Sequence, residues 1–181
     1  LHAAAGSRSV SVSLDLRRYR DGDAAGVRAL FVRGNRLMAP PHLAEAFEGY
    51  IARSLAEEID VIPAYYGARQ GAFFVAQAEA KLLGMFGLEA AGEGAMELRR
   101  MYVDPDARRQ GIARRMLAFA EDEARRLGAR EMVLSTSEIQ KEALALYRNA
   151  GYRETREEIA ADASNKTIGG GIRRFHFVKA L

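Results

Sequence analysis

The sequence has 181 residues, of which 49% are apolar and 28% are charged, with a formal net charge of +3. This length and balance are typical of one globular domain, so we expect residues 1–181 to form a single domain, with residues 1–8 as a disordered tail. The chain has no cysteine, no run of about 18 apolar residues and only three, widely spaced histidines, so we expect no disulfide, no metal and no membrane partner.

The first half of the chain predicts a strand, two helices and a hairpin. Apolar and polar residues alternate in the first segment, which is typical of a half-buried strand. The first helix is expected to end at Gly34, and Pro40 and Pro41 precede the second. The predicted elements are a strand over 10–16, helices over 24–32 and 42–55, and hairpin strands over 73–77 and 81–88.

The second half predicts strands that alternate with helices. Asp104 and Pro105 close a strand, Gly128 ends a long amphipathic helix, and Ser137 is a candidate N-cap for the helix after it. A small, polar loop is expected over 160–171. The predicted elements are strands over 96–103, 131–135, 152–158 and 172–179, and helices over 111–127 and 138–149.

The turn before the long helix has the residues of an anion site. Arg108, Gly111 and Ala113 follow a strand and open a helix. Unpaired N–H groups and the helix dipole attract anions there, and the small residues let a phosphate approach the backbone. The alternative is that Gly111 only begins a helix and that the arginines are a solvated patch.

Residues 96–151 resemble the core of the GNAT acetyltransferase superfamily. The turn matches the family pattern R/Q-x-x-G-x-G/A, which binds the pyrophosphate of coenzyme A. A second family motif is matched by Ala143, Leu146, Tyr147, Gly151 and Tyr152, whereas Gln140 stands where many members have asparagine. The resemblance implies an α/β (α+β) fold: a mixed, mostly antiparallel sheet of six to seven strands with a splayed parallel central pair, flanked by about four helices.

A looser likeness points to one group within the superfamily. The runs 71–76, 108–113 and 136–140 are similar to camello-like cysteine-conjugate N-acetyltransferases. This similarity implies an amino-acid-like acceptor.

The resemblance also implies which residues bind acetyl-CoA. Met101 and Val103 would pair with the pantetheine arm as if it were a strand, and a main-chain N–H near Met101 or Tyr102 would face the thioester oxygen. This arrangement predicts a gap in the sheet between strands 96–103 and 131–135. The expected cofactor-binding residues are Met101, Tyr102, Val103, Arg108, Arg109, Gln110, Gly111, Ile112, Ala113, Arg114, Gln140 and Tyr147.

Two residues are candidates for acid–base catalysis by the same resemblance. Glu97 is the candidate general base, although a carboxylate beside Arg99 and Arg100 could equally be half of an ion pair. Tyr147 is the candidate general acid for the departing thiolate, and its alternative role is that of a core aromatic. Tyr65 and Tyr66 are expected in the core.

These features predict an acetyl-CoA-dependent N-acetyltransferase that acts on a primary amine of a small molecule, an amino-acid-like compound or a peptide. The alternative is a catalytically silent acyl-CoA-binding sensor or interaction domain. Acidic residues are interspersed with Arg along the chain, so we expect no nucleic-acid partner. We expect a cytoplasmic protein, and the sequence leaves a homodimer open.

Overall fold

One mixed sheet of seven strands organises residues 13–181, the part of the chain that the computed structural model describes. The strands lie in the order β1-β2-β3-β4-β5-β7-β6, and all neighbours are antiparallel except β4 and β5, which are parallel. Their bounds are β1 Asp15–Arg18, β2 Ala72–Ala78, β3 Lys81–Ala90, β4 Ala95–Val103, β5 Glu131–Ser137, β6 Arg153–Ala160 and β7 Ile172–Ala180.

Helices cover both faces of this sheet. The four longer helices within the described residues are α1 Ala24–Met38, α2 Ala44–Glu57, α4 Ile112–Arg126 and α5 Lys141–Asn149, and a short α3 spans Ile62–Gly67. The sheet and these helices confirm the predicted fold class. Each helix of residues 13–181 is too short or too polar to cross a membrane.

Two apolar clusters hold the layers together, one on each face of the sheet. One cluster packs α4 and α5 against the sheet around Met116 and Phe86, and the other packs α1, α2 and α3 around Phe31 and Ile62. Side chains alternate between the faces of a strand, so β2 contributes to both: Phe74 lies in the first cluster and Phe73 in the second.

The structure differs from the prediction in the bounds of several elements and in one additional helix. Helix α1 does not end at Gly34 but continues to Met38, because Gly34 lies against β4, where an added Cβ would be 3.1 Å from Tyr102 Cδ1. Helix α5 begins at Lys141, and Ser137 is the last residue of β5 instead of a helix cap. The helix α3 was missed. The first strand, predicted over 10–16, is observed at Asp15–Arg18, and residues 1–12, including the predicted tail, lie outside the described part.

The parallel pair at the centre of the sheet separates after three residues. Ala95, Met96 and Glu97 of β4 pair with residues 131–133 of β5, and no further pair is formed although β4 continues to Val103. Beyond Glu97, β4 carries a bulge at which Arg100 has a positive φ of 54° and the register with β3 shifts. The predicted gap is therefore present.

Candidate active site

The gap exposes one edge of β4 over its last six residues. Antiparallel pairing with β3 satisfies one side of the strand, with Tyr102 opposite Met85 and Val103 opposite Gly84. The side towards β5 has no strand partner after Glu97. Main-chain donors and acceptors on this side are free to pair with an extended ligand.

The turn after β4 presents the start of α4 to the same region. Arg109 and Gly111 have positive φ angles of 63° and 73°, and α4 begins at Ile112. Gly111 is the N-cap and makes no side-chain capping bond, so the first N–H groups of α4 lack a side-chain partner. Asp104 anchors the turn, since its Oδ1 accepts from Asp106 N at 2.9 Å and from Arg33 Nη1 at 3.0 Å.

A cleft of about 840 Å³ lies between this turn, the end of α1 and α5. Arg108, Arg109 and Arg114 give it a cationic mouth, where Glu142 is 4.0 Å from Arg108. Eleven of the twelve predicted cofactor-binding residues line it, and Gln110 lies in the same turn but outside the lining. The charge, the exposed N–H groups and the open β4 edge suit a long anionic ligand with an extended arm.

A second, smaller cavity of about 90 Å³ opens between the separated strands. It is lined by side chains from β4, β5, β7 and α2, and by residues 165 and 166 of the loop before β7. Both cavities share the lining residues Met101, Tyr102, Gln140, Ala143 and Tyr147. The cleft and the cavity therefore meet beside Tyr147.

Tyr147 lines both cavities and so lies where they meet. Its hydroxyl is 3.8 Å from Met101 Sδ, and its ring packs edge-on against Tyr152. Burial raises the pKa of this phenol well above its usual range. Tyr147 therefore carries its proton at neutral pH, although burial makes this phenol a weaker acid than a phenol in water.

Glu97 faces the smaller cavity, paired with an ammonium group. Its Oε2 accepts from Lys166 Nζ at 2.7 Å, and the same ammonium contacts Glu89 Oε1 at 3.2 Å. The ion pair expected of Glu97 thus exists, but its partner comes from the loop before β7, not from Arg99 or Arg100.

Arg99 and Arg100 bind instead to Glu58, which the sequence did not single out. Glu58 follows α2, is fully buried, and accepts from Arg99 Nη2 at 2.6 Å, from Arg100 Nη2 at 2.7 Å and from Tyr66 Oη at 2.6 Å. Burial alone would raise the pKa of Glu58, but the two guanidinium groups and the hydroxyl outweigh it and lower that pKa to about 2. The sequence signal for this cluster is the four-residue spacing of Tyr50, Ser54 and Glu58, with the first two on one face of α2 and Glu58 directly after its end.

Arg100 connects this buried cluster to the loop before β7. Its guanidinium also donates to Tyr50 Oη and, at 2.6 Å, to the carbonyl oxygen of Asn165. Gln140 is held at the other end of the cavity, where its Oε1 accepts from Thr136 Oγ1 at 2.7 Å. The walls of the cavity are therefore fixed by hydrogen bonds.

Comparisons with known proteins place this geometry in a family. Residues 20–152 match the model of the Acetyltransferase (GNAT) family. N-acetyltransferase 8 of Homo sapiens is 33% identical over 112 residues, which cover 59% of this chain and 49% of that protein. The probable N-acetyltransferase camello of Xenopus tropicalis is 29% identical over 116 residues, covering 62% and 53%. The chain spans about half the length of these curated relatives.

Solved structures share the fold. PaiA N-acetyltransferase from Thermoplasma acidophilum, in complex with coenzyme A, superposes with a TM-score of 0.72 at 18% identity and covers 93% of this chain and 99% of that one. The family model spans most of the chain and includes both motifs read from the sequence. The chain belongs to the GNAT acetyltransferase family.

Proposed function

We propose that this chain transfers an acetyl group from acetyl-CoA to the primary amine of a small molecule or a peptide. The observation that carries the proposal is the junction at Tyr147, where a long cationic cleft meets a small cavity that contains a carboxylate. A thioester delivered along the cleft would there meet an amine in the cavity.

The cleft has the groups that a coenzyme A thioester requires. N–H groups at the start of α4 would hold the diphosphate, with Arg108, Arg109 and Arg114 supplying charge. The open edge of β4, over Met101 to Val103, would pair with the amide groups of the pantetheine arm. That PaiA N-acetyltransferase was solved with coenzyme A supports the same ligand here. Acetyl-CoA supplies the activated acyl group.

Glu97 and Tyr147 would move the protons. Glu97 accepts, directly or through water, the proton that the acceptor ammonium must lose before its nitrogen can attack the thioester carbon. A main-chain N–H of the open β4 edge stabilises the developing oxyanion. As the carbon–sulfur bond breaks, the Tyr147 hydroxyl donates its proton to the leaving sulfur. The second proton, which the acylated nitrogen loses to become an amide, passes through solvent and restores the phenol.

The test is the release of coenzyme A from acetyl-CoA with a panel of amines. We expect release with at least one class of amine, and a fall of about 100-fold in kcat for Glu97→Gln. Glu93→Gln, an exposed carboxylate in the turn before β4, is the matched control and should keep full activity. Unchanged acetylation by Glu97→Gln across the pH range removes the base role. Binding of acetyl-CoA without release for any amine favours the silent sensor.

A further inference from the structure

Four cationic side chains line the cavity between β4 and β5, and three of them are neutralised by carboxylates. Arg99 and Arg100 both bind Glu58, at 2.6 and 2.7 Å, and Arg99 also lies 3.6 Å from Glu89. Lys166 binds Glu97 at 2.7 Å. These three cationic side chains are therefore already paired with carboxylates of the protein.

Arg174 is the exception. Its Nη2 donates to Ser135 Oγ at 2.7 Å, and among residues 13–181 no carboxylate oxygen lies within ion-pair distance of its guanidinium. Glu158 stands opposite Arg174 on β6, but its carboxylate contacts His176 at 2.8 Å and Arg156 at 3.0 Å instead.

The surroundings of Arg174 make this unpaired charge costly. Burial is the largest influence on the half-buried Arg174 and lowers the pKa of its guanidinium, while Glu158 and Glu97 offset part of this effect from beyond ion-pair distance. Carboxylates in direct contact raise the pKa of Arg99 and Arg100. A partly desolvated cation that no carboxylate of the described residues contacts directly can bind an anionic group of a ligand.

Arg174 and Glu97 lie on the same face of the sheet. Glu97 is opposite Val133 and Arg174 is opposite Ser137, and positions 133, 135 and 137 of β5 point to one side. Both side chains line the same cavity. A molecule that brings its amine to Glu97 can therefore present a second group to Arg174.

We propose that Arg174 binds a carboxylate of the acceptor, so that the acceptors are small amines that carry a carboxylate, such as free amino acids. This inference rests on the proposed acetyltransferase function and narrows it. The planar guanidinium can donate two parallel hydrogen bonds to a carboxylate. The carboxylate would fix the acceptor in the cavity while its amine lies beside Glu97.

The experiment compares free amino acids with the corresponding amino-acid amides, which keep the amine and the side chain but lack the charge. We expect kcat/KM for the acids to exceed that for the amides by about 30-fold or more, as for other hydrogen-bonded charge pairs. Arg174→Gln should reduce this preference to within about 3-fold and leave the KM for acetyl-CoA unchanged. Arg173→Gln is the matched control, because this neighbour on β7 is bound to Glu157 at 2.7 Å, and it should keep the preference.

Several outcomes would overturn the inference. Equal turnover of acids and amides by the unaltered protein contradicts it, whatever any variant does. A folded Arg174→Gln protein that keeps the preference also contradicts it. If this variant fails to fold, Arg174→Lys is used, which keeps the charge but loses the planar fork, and we expect a preference reduced about ten-fold. Failure of every amine, acid or amide, would refute the acetyltransferase function itself.

Discussion

The proposed acetyl transfer depends on Tyr147 as the proton donor to the leaving sulfur. Among the described residues the hydrogen-bond partner of its hydroxyl is Met101 Sδ, and the residue lines both cavities. Its ring packs against Tyr152 and Phe177, so the ring holds its place without the hydroxyl. The variant Tyr147→Phe therefore separates the chemistry of the phenol from its packing.

We expect Tyr147→Phe to lower kcat by about 100-fold, because the leaving sulfur loses its proton donor. The affinity for coenzyme A and the midpoint of thermal unfolding should stay near those of the unaltered protein. Steady-state kinetics with binding calorimetry checks both. Full turnover by the variant would show that the phenol only packs.

Glu58 has a structural role that titration can reveal. Its pKa of about 2 in the folded protein lies below the usual 4.5, so its ion pairs stabilise the fold above pH 4.5, and this stabilisation is lost as the pH falls towards 2. We expect Glu58→Gln to reduce the free energy of unfolding by about 3 kcal/mol at pH 7, since Arg99 and Arg100 lose their buried counter-ion. Below pH 4.5 the difference should shrink. Denaturant unfolding at several pH values measures it.

An exposed pair provides the control for Glu58. Glu48 accepts from Arg36 at 2.8 Å, and both side chains are more than half exposed. Glu48→Gln should change stability by less than about 1 kcal/mol at any pH. Equal effects of the two variants would contradict the buried-cluster explanation.

The sequence identified those site residues that belong to local motifs and missed those that meet across the fold. Tyr147 and Gly111 stand within runs whose spacing can be read directly. Glu58 is 42 residues from Arg100, and Lys166 is 69 residues from Glu97. Such pairs depend on how the helices and the loop pack on the sheet, which periodicity does not report.

Two glycines, one at each end of α4, allow a test of whether the turn before this helix binds the ligand. Gly111 precedes α4 with a φ of 73°, and Gly128 follows the same helix with a φ of 86°. An added Cβ would meet no atom within 4 Å at either glycine. An alanine would therefore strain the backbone similarly at both positions. Of the two glycines, only Gly111 lines the cleft.

We expect Gly111→Ala and Gly128→Ala each to lower the free energy of unfolding by about 1 kcal/mol. Only Gly111→Ala should also weaken coenzyme A binding, by about ten-fold, because its methyl group occupies the space that a diphosphate approaches. Calorimetric titration of both variants measures the difference. Equal affinities would show that the ligand does not approach this turn.

Element types were predictable from the sequence, but some boundaries were not. Alternation and apolar runs correctly predicted the strands β2 to β7, and the amphipathic spacing predicted α4. Gly34 indicated a helix end because glycine is a poor helix former, yet its close approach to Tyr102 explains why it is tolerated inside α1. Only the tertiary packing of α1 on β4 distinguishes these two roles.

For the whole molecule, we propose that the described residues form a single domain. The two apolar clusters share one sheet, and strands such as β2 contribute side chains to both. We therefore expect one cooperative thermal transition with equal calorimetric and van't Hoff enthalpies. Two resolved transitions in scanning calorimetry would contradict this proposal.

We propose that the turn after β4 and the open edge of β4 bind acetyl-CoA. Isothermal titration of the intact chain with acetyl-CoA tests it most directly. We predict saturable binding at one site per chain, with an affinity about ten-fold weaker in Gly111→Ala and unchanged in Gly128→Ala. A folded chain that shows no saturable binding of acetyl-CoA, or that binds it equally well in both variants, would contradict the account.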